Sequence, residues 1–158
     1  MKKVIGIDLG STQSEIAIIE NGKPKVVANE DGSYMTPSVV SFIDGERKVG
    51  SAAKRQQVVR PKETVYLIKR FMGSTYDECS DAIKHVQYDV VDENGMPRVK
   101  IDGRLFSPEE ISSHIVGKMK RLLRIILEKR LRMQLLQFLR FLGTRQEQPQ
   151  RLLENSLD

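Results

Sequence analysis

The stretch of this sequence best equipped for chemistry is Asp8-Leu9-Gly10-Ser11-Thr12. It closes the apolar run Val4-Ile5-Gly6-Ile7, which predicts a short buried strand with a carboxylate at its end. Glycine lets the backbone approach a bound group closely. Successive amide donors, with two hydroxyls beside them, can cradle phosphate oxygens. A carboxylate at the strand end can hold water on magnesium, which takes oxygen ligands and keeps several waters. No G-x-x-x-x-G-K-[ST] pattern occurs, so this is not a Walker loop. The same five residues also suit an ordinary turn between two strands. Other chemistries find less support. Cys79 is the single cysteine, which excludes an internal disulfide framework and a multi-cysteine zinc site. His85 and His114 stand far apart without a ligand cluster, which speaks against a metal site of their own.

The elements around this stretch read as a mixed α/β protein. Leu9 to Gln13 reads as a turn and Ser14 to Ile19 as a second strand. Asn21-Gly22 is a type I′ turn signal, so Lys25 to Ala28 should return as a third strand. Asn29 to Thr36 reads as a polar loop, Val39 to Phe42 as a strand, and Asp44-Gly45 as another turn. Ser51 to Val58 predicts a short helix capped by Ser51, and Pro61 to Phe71 a second helix. Val86–Val91, Arg98–Ile101 and Arg104–Phe106 predict an antiparallel set with turns at Asn94-Gly95 and Asp102-Gly103. Ser107-Pro108-Glu109-Glu110 is a full helix start, and Ile111, Ile115 and Met119 mark its apolar face.

Composition sets the bounds. The chain has 158 residues, one ordinary domain or a fragment of something larger, and 39% apolar content suffices for a packed core. No apolar run approaches the ~18 residues of a membrane span. The basic start Met1-Lys2-Lys3 lacks the long apolar stretch and cleavage site of a signal peptide, so a cytoplasmic protein is expected. The net charge of +5 would suggest nucleic acid, but it is concentrated at one end. Residues 121–158 hold seven Arg and one Lys against three Glu and one Asp, or +4, leaving +1 for residues 1–120. That argues against a basic groove for a phosphate backbone, and no nucleic-acid or membrane partner is expected. The same stretch holds eleven Leu and five Gln but no Val, Ala or Tyr, an abrupt change of composition.

Further segments give the loop a context. Ile5 to Thr12 strongly resembles the first phosphate loop of the actin-like ATPase superfamily of sugar kinases, actin and the 70-kilodalton heat-shock chaperones. Asn29-Glu30-Asp31-Gly32 with Thr36-Pro37-Ser38 resembles the chaperones' N-x-x-G-x-x-x-T-P-S segment. Val49-Gly50 with Ala53-Lys54-Arg55-Gln56 resembles their V-G-x-x-A-K-R-Q. Ile68-Lys69-Arg70-Phe71-Met72-Gly73 resembles their I-K-R-x-x-G, and Pro108 to Ser112 their P-E-E-I-S. The chain thus resembles the N-terminal part of a DnaK-type chaperone from Lys3 to about Arg121.

The resemblance implies an incomplete actin-like, ribonuclease H-like lobe: a mixed sheet with flanking helices over residues 1–121. It implies ATP and magnesium as cofactors, with Asp8 near the metal's water shell and Gly10, Ser11, Thr12 and Gln13 around the phosphates. Lys69 would point at the γ-phosphate and help position the attacking water; read alone it is a solvated lysine. Ser11 stands where the family usually has Thr, Gln13 where it has Asn or an aromatic, and Tyr34 where Arg is common. Family partners would be unfolded polypeptides, a J-domain cochaperone and a nucleotide-exchange factor. A sugar- or acetate-kinase-like relative and a non-enzymatic adaptor with a basic amphipathic tail are the alternatives.

Beyond Arg121 the motifs stop, and an out-of-frame tail over residues 122–158, helical or disordered, accounts for the change. Allowed codons for Arg124 onward, AGA ATT ATC TTG GAG AAA AGG TTA CGA ATG and so on, yield N-Y-L-G-E-K-V-T-N-A-V-I-T-V-P-A when read two bases later. That resembles the family's expected continuation, and Met133 permits a single codon. Leu122, Leu123, Ile126, Leu127 and Leu131 mimic an apolar helix face, and leucine and arginine accumulate out of frame because each has six codons. Leu, Arg and Gln favour helix, so the tail can extend the helix begun at Ser107, with Gly143 and Pro149 expected to end it. A chain built this way would lack the second phosphate loop, the closing lobe and the peptide-binding domain, and is expected to have no ATPase activity alone.

Overall fold

The computed structural model describes residues 5–154; in the last helix it describes side chains to Glu128 and those of Arg132, Met133 and Leu136. Val4, the expected first residue of the first strand, and the final four residues of the tail lie outside the described residues, as does the Leu131 side chain. The chain divides into two compact units, Met1–Leu122 and Leu123–Asp158.

The first unit is mixed α/β, but in place of the expected mixed sheet with flanking helices the described strands form three antiparallel sheets, joined by short helical pieces. In the first sheet β1 (Ile5–Leu9), exposed from Ile5 to Asp8 rather than buried as expected, pairs with β2 (Gln13–Glu20), which pairs with β3 (Lys23–Val26). The short β4 (Thr36–Pro37) pairs with the start of β2, setting Ser14 opposite Thr36. Along β2 the alternation is strict: Ser14, Ile16 and Ile18 are buried and their neighbours are not. In the second sheet β5 (Val40–Ile43) lies between β6 (Glu46–Val49) and β7 (Thr64–Val65). The third is the expected antiparallel set, β8 (Asp89–Glu93), β9 (Met96–Ile101) and β10 (Arg104–Phe106).

The four Asn-Gly and Asp-Gly hairpin turns that the sequence predicts all form. Asn21, Asp44, Asn94 and Asp102 have φ of 51°, 51°, 55° and 48°, each followed by a glycine with positive φ. Two left-handed residues in succession match the twist of a hairpin, and these residue types enter that region most easily.

Two expected helices differ. The first helix, α1, covers only Ser51–Lys54, and its cap is Gly50, with no side-chain capping bond from Ser51. The segment Pro61–Phe71 is not a helix. Its β-branched pair Thr64-Val65 joins β5, fully buried, and helical backbone begins only with a 3-10 turn at Ile68–Phe71. Pairing with the β5 edge and burial of both side chains outweigh weak helical propensity. A second 3-10 turn at Asp77–Cys79 and the short α2 (Ser80–Ile83) complete the connection to β8.

The last helix, α3 (Pro108–Glu154), starts as the sequence predicts. The Ser107 amide donates to Glu110 Oε2 at 2.6 Å and the Glu110 amide donates to Ser107 Oγ at 3.1 Å, a reciprocal capping box. Ile111, Ile115 and Met119 are each no more than 1% exposed, and Leu122 continues their face. Tyr88 packs between Phe71 and Tyr66, with its hydroxyl donating to Tyr66 O at 2.6 Å. The helix runs through Gly143 and Pro149, which do not end it. In the second unit Arg124 and Glu128 form an exposed i,i+4 pair at 3.8 Å, which adds little to stability.

Candidate phosphate-binding site

The β1–β2 hairpin carries the candidate loop. Leu9 and Ser14 form its last cross-strand pair, and Gly10, Ser11 and Thr12 make the connection. A Cβ at Gly10 would collide with the Gln13 carbonyl, so only glycine lets the chain fold back this tightly. Asp8 is exposed near the end of β1 and faces Glu15 across the pair, putting two carboxylates on one side of the sheet. Like charges directly opposite destabilise a strand pair unless a cation offsets them. Ser11 is half-buried, while Thr12 and Gln13 are exposed; Gln13 opens β2 opposite Pro37.

Lys69 lies sixty positions away in sequence, yet its Nζ donates to the Leu9 carbonyl at 2.8 Å. The cation therefore sits at the lip of the loop. It is placed there by the 3-10 turn whose Ile68 and Phe71 are buried, at 2% and 1% exposure, leaving Lys69 and Arg70 outside. Leu67, just before that turn, has φ of 56°, a costly backbone state for a non-glycine residue. No local sequence signal announces it.

The Thr-Pro-Ser segment supports the loop from beneath. The Ser38 amide donates to Thr12 O at 2.9 Å, and Ser38 Oγ donates to Gly10 O at the same distance. Ser38 Oγ also lies 2.8 Å from Ser14 Oγ. Thr36 Oγ1 donates to Asn29 Oδ1 at 3.0 Å, and Asn29 Nδ2 donates to Met35 O, tying in the Asn29–Ser33 turn. Asp31 in that turn accepts from the Ser33 hydroxyl and amide, which hold its carboxyl below the usual range. Gly50, at φ of 79°, sits against the Thr36 methyl, and Lys118 Nζ donates to Val49 O at 2.8 Å. Segments far apart in the chain thus converge on one hairpin. Asp8, Gly10, Ser11, Thr12, Gln13 and Lys69 lie together in one region; sequence reasoning missed Ser14 and Ser38 as supports and Glu15 as a neighbour of Asp8.

Other titratable groups offer less. Cys79 is 1% exposed and burial pushes its thiol up, away from the reactive thiolate. Among the described residues no three His, Cys, Asp or Glu side chains gather as a metal cage. The donor set suits a cation held mainly by phosphate and water, with the Asp8 and Glu15 carboxylates nearby.

The site is thus a glycine-tight hairpin with a lysine at its lip, on a mixed α/β scaffold. A family model, that of the Hsp70 protein, matches residues 4–136, and the chain belongs to the Hsp70 family. Members bind nucleotide, unfolded polypeptides and cochaperones. The match continues past Arg121, where the individual motifs stop. Among the described residues no helix is long and apolar enough to cross a membrane.

Proposed function

We propose that this chain carries the first phosphate-gripping part of an actin-like chaperone ATPase domain. In this reading Gly10, Ser11, Thr12 and Gln13 hold the β- and γ-phosphates of ATP. Asp8 holds a water of the magnesium shell. Lys69 faces the γ-phosphate and orients the attacking water. Magnesium supplies neutralisation of the phosphate charge, and phosphoryl transfer needs such positioning more than covalent help. The observation that carries the reading is the Lys69 amine at 2.8 Å from Leu9 O, which unites the two motifs at one lip. The exposure of Asp8, Thr12, Gln13 and Lys69 leaves the grip open to water, and charge stabilisation is weaker where water is not excluded. Binding is therefore expected to be weak and turnover absent in this chain. Coupling of hydrolysis to unfolded polypeptides, a J-domain cochaperone and an exchange factor is proposed for the intact protein, in a cytoplasmic setting.

Isothermal titration of the full chain with magnesium and a non-hydrolysable ATP analogue, which keeps the γ-phosphate, tests this. Binding should be detectable and should weaken about tenfold in Lys69→Ala, the size expected for a hydrogen bond to a charged group of roughly 1.5 kcal/mol. Absence of binding in the unmodified chain at millimolar nucleotide would overturn the reading.

A further inference from the structure

Ser14 and Ser38 are 1% and 2% exposed, so their hydroxyls must find partners inside the protein. Each hydroxyl has one proton to give. Gly10 O can only accept, and it takes the proton of Ser38 Oγ at 2.9 Å. The 2.8 Å contact between the two hydroxyls therefore has Ser14 donating and Ser38 accepting. The order is fixed: Ser14 to Ser38 to Gly10. The Ser38 amide holds the Thr12 carbonyl at the loop's other end.

This fixes where the loop's own donors point. A trans peptide is planar, with its C=O and N–H opposed, and no cis bond occurs among the described residues. Drawing the Gly10 carbonyl toward Ser38 turns the Ser11 N–H away from the sheet and outward. An outward amide between two anchored carbonyls is a preorganised anion donor, set before any ligand arrives.

We propose that Ser38 is a positioning residue for phosphate binding, acting through the Gly10–Ser11 peptide, and that Ser14 acts only by orienting Ser38. The proposal rests on the phosphate-loop reading above and gives the Thr36-Pro37-Ser38 segment a role in it. Ser38→Ala leaves the Gly10 carbonyl and the Ser14 hydroxyl without partners, whereas Ser14→Ala leaves the Ser38–Gly10 bond in place.

The test uses the full chain and magnesium-ADP as probe, with affinity from titration calorimetry and loop order from exchange of the Ser11 amide by NMR. Ser38→Ala should weaken binding about tenfold and speed Ser11 exchange. Ser14→Ala should weaken it about threefold. The double variant should match Ser38→Ala alone, because the Ser14 hydroxyl is hydrogen-bonded to the loop only through Ser38. Wild-type affinity in a folded Ser38→Ala overturns the proposal while leaving the phosphate-loop reading intact. Further loss in the double variant overturns the relay. No binding by the unmodified chain overturns the reading itself and this proposal with it. Should Ser38→Ala not fold, Ser14→Ala decides: unchanged affinity and unchanged Ser11 exchange would refute the coupling.

Discussion

His114 illustrates how much one side chain's setting decides. It stands half-buried on α3, edge-on to Phe42 at 5.9 Å, with its Nε2 3.3 Å from Arg47 Nη1. Burial, then the Arg47 guanidinium, hold its proton affinity below the ordinary value near 6.5, while Glu110 opposes them. The unfolded chain therefore binds a proton first as pH falls. Stability is full above the unfolded value and is lost as pH drops below about 6.5 toward the lower folded one. Thermal melts at pH 7.5 and pH 5.5 check this: the unmodified chain should lose more Tm than His114→Gln, which cannot titrate. An equal loss in both would show that other groups govern the acid response.

At the scale of elements, the capping box and the apolar stripe of α3 do separate work. Ser107 and Glu110 satisfy two orphan amides, while Ile111, Ile115 and Met119 attach the helix to the core. Ser107→Ala should cost about 1 kcal/mol and Ile115→Ala about 2–5 kcal/mol, measured by urea denaturation. A smaller loss for Ile115→Ala than for Ser107→Ala would mean that the stripe is not what holds the helix. The elements legible in the sequence were those with local signals: the four hairpins, the α3 start, and the alternation of β2. Pro61–Phe71 misled because its helical spacing was weaker than the pull of the β5 edge on Thr64 and Val65, which no local window contains.

For the whole molecule, the family match and the hidden-frame reading meet between residues 122 and 136. A leucine-rich helical pattern there suits both a family helix and an out-of-frame stretch, so α3 continues without a break in either case. Genomic DNA around codons 121–125 and downstream should reveal an open shifted frame encoding N-Y-L-G-E-K-V-T; a closed or unrelated frame would refute the out-of-frame tail. The same chain should release no phosphate from magnesium-ATP above background. Turnover that vanishes in Lys69→Ala would show that the open site suffices for catalysis.

What the residue order settled alone was local: left-handed turns at Asn-Gly and Asp-Gly, a cap at Ser107, and a glycine where a hairpin must fold onto Gln13. These depend on neighbours within a few positions, so the order of residues contains their cause. The fold alone decided that Lys69 reaches Leu9 O, that Ser38 anchors Gly10, and that Leu67 adopts a left-handed backbone just before the Lys69 turn. Those contacts join groups up to sixty positions apart, and burial of Ile68, Phe71, Ser14 and Ser38 brings them together. Burial is a property of the packed chain, which no short stretch of it possesses.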